Sequence, residues 1–383
     1  MTSGIICEYN PFHTGHKKQL DIIRSNQQCD DSIVCLMSGN YVQRGKPAII
    51  DKTVRGKAAI LCGADLVLEL PINATLSSAE NFAAIGVSIL SKLCDELSFG
   101  SEDSDGKTLS EIAKALLTEA FKDELKTELG KGISFPTARA NALQAMGFQS
   151  EILSKPNNIL AIEYYKAIIS QNAKINPVPI HRAGNYHAEE ANINNPSATS
   201  VRSLMYQNDC WEKFIPTQAV DCFKNAPLHA TEAGERAILA KLRTMADAEF
   251  ESLPFGSEGL WRKLMHAARK EATLESIIAS VKSKRYTRTR IDRMILCGFL
   301  GITNAILETP APYVRILAFN EKGRKLLNSV KDSGYFVNTG ERIDHPWQLL
   351  EERIDNLYGL FTLDSIDAPG METQRRVYYH KEA

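Results

Sequence analysis

Through the first half of the chain, short uninterrupted apolar runs alternate with stretches of helical period. Residues 3–7 (SGIIC), 32–37 (SIVCLM), 65–70 (DLVLEL) and 96–99 (ELSF) read as strands, and 175–180 returns as a further one. Between them, residues 14–28, the segment after Asp51, 77–93 and most of 107–171 carry helical spacing. Asp51 is placed to cap its helix, Pro71 stops the third strand, and Pro136 and Pro156 punctuate the helical region. Fully apolar strands separated by helices predict a parallel sheet covered on both faces. Right-handed crossovers then give a doubly wound, Rossmann-like α/β domain. Beyond about residue 205 the pattern turns helical (234–246, 259–281, 290–298) and ends in a short mixed tail. The expected division is an α/β catalytic domain over 1–210 and a mainly α-helical domain over 211–383, with no internal repeat.

Composition narrows this only a little. The chain has 383 residues, room for two or three domains, with 44% hydrophobic and 24% charged positions, which excludes disordered and fibrous classes. Lys plus Arg number 45 and Asp plus Glu 46, so a uniform basic coat for nucleic acid is excluded but a local basic face is not. Eight cysteines stand singly without a CxxC pair and read as reduced thiols. No secretory leader or membrane-spanning run is evident, so a cytoplasmic protein without an obligate protein partner is expected.

The densest chemistry lies where the first strand hands over to the first helix, in Glu8-Tyr9-Asn10-Pro11-Phe12-His13-Thr14-Gly15-His16. Doubly wound sheets bind ligands at this carboxyl edge, and the free N–H groups of a helix start favour phosphate. His13 and His16, three apart, can serve one site as catalytic donors to charge building on an α-phosphate and a departing pyrophosphate. Gly15 lets backbone approach a ligand. No further Cys or His at useful spacing suggests a zinc site, and no carboxylate cage for another metal is visible.

Ser197-Ala198-Thr199-Ser200-Val201-Arg202 sets hydroxyls at a helix start with an arginine on the next turn, a cradle for β- and γ-phosphates or simply an N-cap. In the loop after the second strand, Gln43 and Arg44 are placed to close over a small substrate or present a base. Lys52 and Arg55 on the following helix could neutralise phosphate or face solvent. A basic run near the end of the helical half contains Lys282, Lys284, Arg285, Tyr286, Arg288, Arg290 and Arg293. Such cations meet RNA phosphates and a tyrosine can stack on an unpaired base, although charge runs are usually solvated faces.

Paired with HTGH, SATSVR resembles the second signature of the nucleotidyltransferase superfamily. GIICEYNPFHTGH, MSGNYVQRGKPAIIDK, GADLVLELP, FGSE, PNNILAIEY, HRAGNYH and KRYTRTRIDR follow in order, and together they resemble the bacterial tRNA(Met) cytidine acetate ligase family. The resemblance implies ATP-dependent activation of acetate to acetyl-adenylate. The acetyl group then passes to N4 of the wobble cytidine (position 34) of elongator tRNA(Met), giving N4-acetylcytidine. It implies ATP as substrate, carried as its Mg2+ complex, with acetate and tRNA(Met) as partners. Asn10 and Glu8 stand where other superfamily members carry aspartate and glycine, a departure that favours the ligase. Carried over by position, Ile6, Cys7, Glu8, Tyr9, Asn10, Pro11, Phe12, Thr14, Lys17, Lys18 and Gln19 join the two histidines around ATP. Gly100, Asn157 or Asn158, Arg182, Ser197, Thr199, Ser200 and Arg202 complete that site. Two alternatives remain open: a nucleotidyltransferase acting on a small phosphorylated acceptor, and a non-catalytic RNA-binding protein.

Overall fold

The computed structural model describes residues 1–102, 105–181, 196–364 and 368–381. The chain opens with β1 (Thr2–Cys7), α1 (Thr14–Ser25) and β2 (Ser32–Ser38), then a short hairpin of β3 (Tyr41–Val42) and β4 (Lys46–Pro47). α2 (Lys52–Leu61), β5 (Leu66–Leu70), α3 (Ala79–Leu90), β6 (Glu96–Ser101), α4 (Pro156–Gln171) and β7 (Asn176–His181) follow, with further helices between β6 and α4. Asp51 caps α2 as expected, its Oδ1 accepting from Thr53 N at 2.8 Å.

With β8 (Val314–Phe319) and β10 (Tyr378–Tyr379) from the end of the chain, the main sheet runs β10-β8-β5-β2-β1-β6-β7. β1 pairs in parallel with both β2 and β6. The chain winds outward from β1 through β2 to β5, then crosses to lay β6 on the other side of β1. That reversal is a topological switch point, and it puts the binding crevice above the carboxyl ends of β1 and β6.

Every residue of β2 is buried, because both faces are covered. Ile33, Cys35 and Met37 join one core with α1 and α2, while Val34 and Leu36 join another with α3 and α4. This is the alternation a doubly covered strand imposes.

The second half begins with α5 (Ala198–Gln207) and continues through α6 (Glu235–Thr244), α7 (Leu260–Lys270), α8 (Leu274–Val281) and α9 (Arg288–Leu300). The last four share a hydrophobic core of their own. The single helix expected over 259–281 is two, because the Thr273 hydroxyl accepts from Ser276 N and starts a new one. β8 (Val314–Phe319), β9 (Phe336–Asn338), α10 (Pro346–Tyr358), α11 (Met371–Gln374) and β10 (Tyr378–Tyr379) complete the chain.

The mixed tail expected at the end of the chain joins the amino-terminal sheet. β8 pairs antiparallel with β5 and carries β9 and β10, so residues 314–379 extend the amino-terminal sheet and make it mixed. A short run such as VRILAF has no periodicity long enough to declare its partner.

Candidate active site

α1 begins with an imidazole cap. His13 is its N-cap; its Nδ1 accepts from Gly15 N at 3.1 Å, while His16 Nδ1 accepts from the N–H of His13 at 3.3 Å. The two rings stack with centroids 3.7 Å apart and planes 25° apart. In a neutral imidazole one nitrogen accepts and the other carries the hydrogen. Two accepting Nδ1 atoms therefore fix the proton on Nε2 of both rings. The HxxH spacing thus delivers two oriented donors beside a helix amino terminus, the arrangement an anionic ligand needs.

Gly15 also makes room within the protein. A Cβ there would lie 2.9 Å from His13 Cε1 and 3.1 Å from Nδ1, so the glycine makes room for the histidine itself. Pro196 O lies 3.9 Å from the same position, which brings the start of α5 beside the start of α1. Two helix amino termini converge on the histidine loop. Thr14 Oγ1, in the first turn of α1, is buried without a hydrogen-bond partner among the described residues.

The rest of the loop is held rather than exposed. Tyr9 and Phe12 are 1% and 0% exposed and pack edge to face at 4.7 Å, with Tyr9 4.9 Å from the His16 ring. Their side chains, with buried Pro11, pack in the core beneath the histidines. Glu8 Oε1 accepts from Gln43 N, and Asn10 Oδ1 from Ile49 N, both at 2.8 Å. Arg202 Nη1 donates to Asn10 O at 2.7 Å and Nη2 to Thr199 Oγ1 at 3.1 Å, so this arginine fastens α5 to the loop. Ser197 caps α5 by accepting from Ser200 N at 3.0 Å, and the two hydroxyls bond each other. Ile6 and Cys7 end β1, Lys17 pairs with Asp21, and Lys18 and Gln19 lie farther along α1.

Near the end of β6, Gly100 is a strand residue opposite Ile180. Asn158, fully buried, accepts through Oδ1 from Ser101 Oγ (2.7 Å) and Glu102 N (3.1 Å). Asn157 is half-buried and donates Nδ2 to Glu102 Oε1 at 2.7 Å. Arg182 lies outside the described residues.

Two residues read as phosphate neutralisers have other work. Arg55 is fully buried and donates Nε to Ile50 O (2.7 Å), Nη1 to Glu8 O (2.6 Å) and Ser38 O (3.1 Å), and Nη2 to Gly39 O. It ties the histidine loop to the loop after β2, a role invisible in a helical spacing pattern. Lys52 donates to Glu69 at 2.8 Å and Glu372 at 2.7 Å. Arg375 joins Asp51 (2.5 Å), Asp355 (2.6 Å) and Glu372 (3.3 Å), and Arg315 joins Glu351 (2.9 Å). Five carboxylates share three cations there, and burial, reinforced by neighbouring acids, raises the Glu69 carboxyl to about 7.

The loop after β2 reaches the helical half. Gln43 Nε2 is buried without a partner among the described residues, whereas Arg44 is exposed. Gly45 has a φ of +73°, and a Cβ there would lie 2.5 Å from Arg293 N, so the loop tip presses on the α9 backbone. Arg293 Nη1 meets Gln43 O at 3.5 Å.

The basic run is only partly a surface. Lys282, Lys284, Arg285 and Arg288 are exposed, with Arg285 paired to Glu258 (2.7 Å) and Arg288 to Glu275 (2.6 Å). Tyr286 is 4% exposed and its hydroxyl donates to Glu258 O at 2.8 Å. Its ring is therefore part of the helical core, flanked by Lys263 and Arg290, and is not presented to a base as expected. Arg290 donates to Phe255 O at 2.8 Å.

Residues 1–362 match the family described as HIGH Nucleotidyl Transferase. A tRNA(Met) cytidine acetate ligase of Clostridium kluyveri is 38% identical over 357 residues, covering 86% of this chain and 87% of that one. The chain belongs to the tRNA(Met) cytidine acetate ligase family. The Acetivibrio thermocellus ligase is 36% identical over 86% of this chain and 85% of its own length. Thermotoga maritima TmcAL, in its apo form, superposes with a TM-score of 0.91 at 27% identity, covering 100% of both chains. The same protein bound with alpha-thio ATP gives 0.86 at 29% identity, again over 100% of both. Among the described residues of this family member, no three or more His, Cys, Asp or Glu side chains cluster to hold a metal, and no helix is long and apolar enough to cross a membrane.

Proposed function

We propose that this ligase family member activates acetate with ATP and transfers the acetyl group to N4 of the wobble cytidine of elongator tRNA(Met). The observation that carries the reading is the pair of Nε2–H donors of His13 and His16 beside two converging helix starts. ATP enters as its Mg2+ complex and lies across the switch point, its α-phosphate toward the histidines. The acetate carboxylate attacks that phosphorus, forming acetyl-adenylate and releasing pyrophosphate. Both imidazoles donate to the charge that develops, and Thr14 Oγ1 with the N–H groups of α1 and α5 receives the leaving group. The cytidine amine then attacks the acetyl carbonyl, forms the C–N bond, loses its proton and expels AMP.

Gln43 Nε2, a buried donor, suits a carboxylate or a base carbonyl at the same edge. The α/β unit over 1–210 is assigned the ATP chemistry, and the helices after 210, with Lys282, Lys284, Arg285 and Arg288 exposed, are assigned the tRNA.

Incubation with labelled acetate, ATP and unmodified tRNA(Met) tests the proposal: the expected product is acetylated cytidine with AMP and pyrophosphate. Pyrophosphate release that ignores acetate and requires a small phosphorylated acceptor would replace it with a nucleotidyltransferase. RNA binding without any ATP turnover would leave a non-catalytic binder.

A further inference from the structure

Beside the loop tip at Gly45 a cavity of ≈ 330 Å³ opens between that loop and the helical half. This volume falls at the small end of ligand pockets, about 300–1,000 Å³. Ile238, Ile278 and Ile295 give it an apolar side, and four acids, Glu232, Glu235, Glu275 and Asp292, line it together with Lys46 and Arg288. Asp292 is 8% exposed, and its carboxylate forms an ion pair with Arg288 Nε at 3.6 Å.

We propose that this cavity receives one unpaired RNA base bearing an exocyclic amino group, with Asp292 accepting from the amine. The inference rests on the tRNA reading above and adds a base-reading site to it. Three observations favour an RNA base. The apolar side suits the flat face of a base, and a carboxylate is the natural acceptor for an exocyclic amine. Arg288 of the basic run lines the cavity, so a phosphate chain following that run arrives at its mouth. The cavity also begins two residues from Gln43, whose N–H is bonded to Glu8 of the histidine loop. A base seated there lies next to the loop assigned to the reaction, which suits a base close in sequence to the modified cytidine.

The test uses the full chain and an anticodon stem–loop RNA of tRNA(Met), titrated at several salt concentrations. Asp292→Asn keeps the shape, and Ile295→Phe fills the apolar side. Both are expected to weaken binding about 10–100-fold with the salt slope unchanged, because base contacts rather than phosphate contacts are lost. RNAs in which one loop amine at a time is deleted should include one that binds the parent equally weakly and on which Asp292→Asn costs nothing more. Should Ile295→Phe fail to fold, Asp292→Asn decides alone. Parental affinity in Asp292→Asn, or an equal loss on every amine-deleted RNA, overturns the pocket. Failure of the unaltered protein to bind the stem–loop overturns the tRNA reading instead, and the pocket with it.

Discussion

His13 and His16 stack 3.7 Å apart, and each Nδ1 accepts a backbone N–H of the same helix start, from Gly15 and from His13 respectively. Replacing either ring removes one donor and the stacking partner of the other. His16→Ala is expected to lower acetate-dependent ATP–pyrophosphate exchange by about 100–1,000-fold. A near-parental exchange rate would remove His16 from the assigned role, and unchanged tRNA affinity in the variant would show that its fold survives.

Gly15→Ala adds only a methyl group, yet that carbon would sit 2.9 Å from His13 Cε1. His13 must rotate away and surrender its bond to the residue-15 amide. The expected result is an exchange rate reduced at least tenfold with a melting temperature close to the parent's. A rate within twofold of the parent would mean that the ring is free to shift without cost.

Arg55 supplies hydrogen bonds to four backbone carbonyls in three segments while fully enclosed. Arg55→Met leaves those carbonyls buried and unsatisfied. Denaturant unfolding should show a loss of ~3–5 kcal/mol, the range seen when one member of a buried charged arrangement is removed. A loss under ~1 kcal/mol would mean that water replaces the guanidinium.

Glu69 titrates near 7, against an ordinary 4.5, because burial and neighbouring acids oppose its charge more than Lys52 supports it. Between those values the folded chain holds a proton that the unfolded chain releases. Its contribution is thus present below about pH 4.5 and is lost as the pH rises through about 7. Glu69→Gln keeps the neutral form at every pH. Relative to the parent, its melting temperature should be higher by several degrees more at pH 8 than at pH 5. An equal difference at both pH values would contradict the raised carboxyl.

Arg285 and Arg288 are exposed; Arg285 pairs at the surface with Glu258, and Arg288 with Glu275 and, at 3.6 Å, with Asp292. Such pairs contribute little, so phosphates compete for them readily. The double charge reversal should weaken tRNA binding at least tenfold and flatten the dependence of log K on log salt by about one unit per lost phosphate contact. An unchanged slope would make the run structural.

What the sequence disclosed follows the range of the interactions involved. The HTGH junction and the Asp51 cap are local, written within a few residues, and both were legible. β8 was not, since its antiparallel partner β5 is far away in the chain and a six-residue apolar run does not name it. Arg55 and Lys52 looked like ligand-facing cations because charge on a helix carries no sign of burial. Tyr286 misled in the opposite direction: its neighbours in sequence are solvated, while its own ring faces the core.

Lys52 meets Glu372 across 320 positions, and Asp51 meets Arg375 across 324. A nascent chain that has left the ribosome only as far as β7 possesses the histidines but not the residues that close this network around the neighbouring loop. Completion of that network must wait until residue 375 has emerged. By then the helical half has been made as well. The order of synthesis thus makes this buried network one of the last parts of the molecule to close.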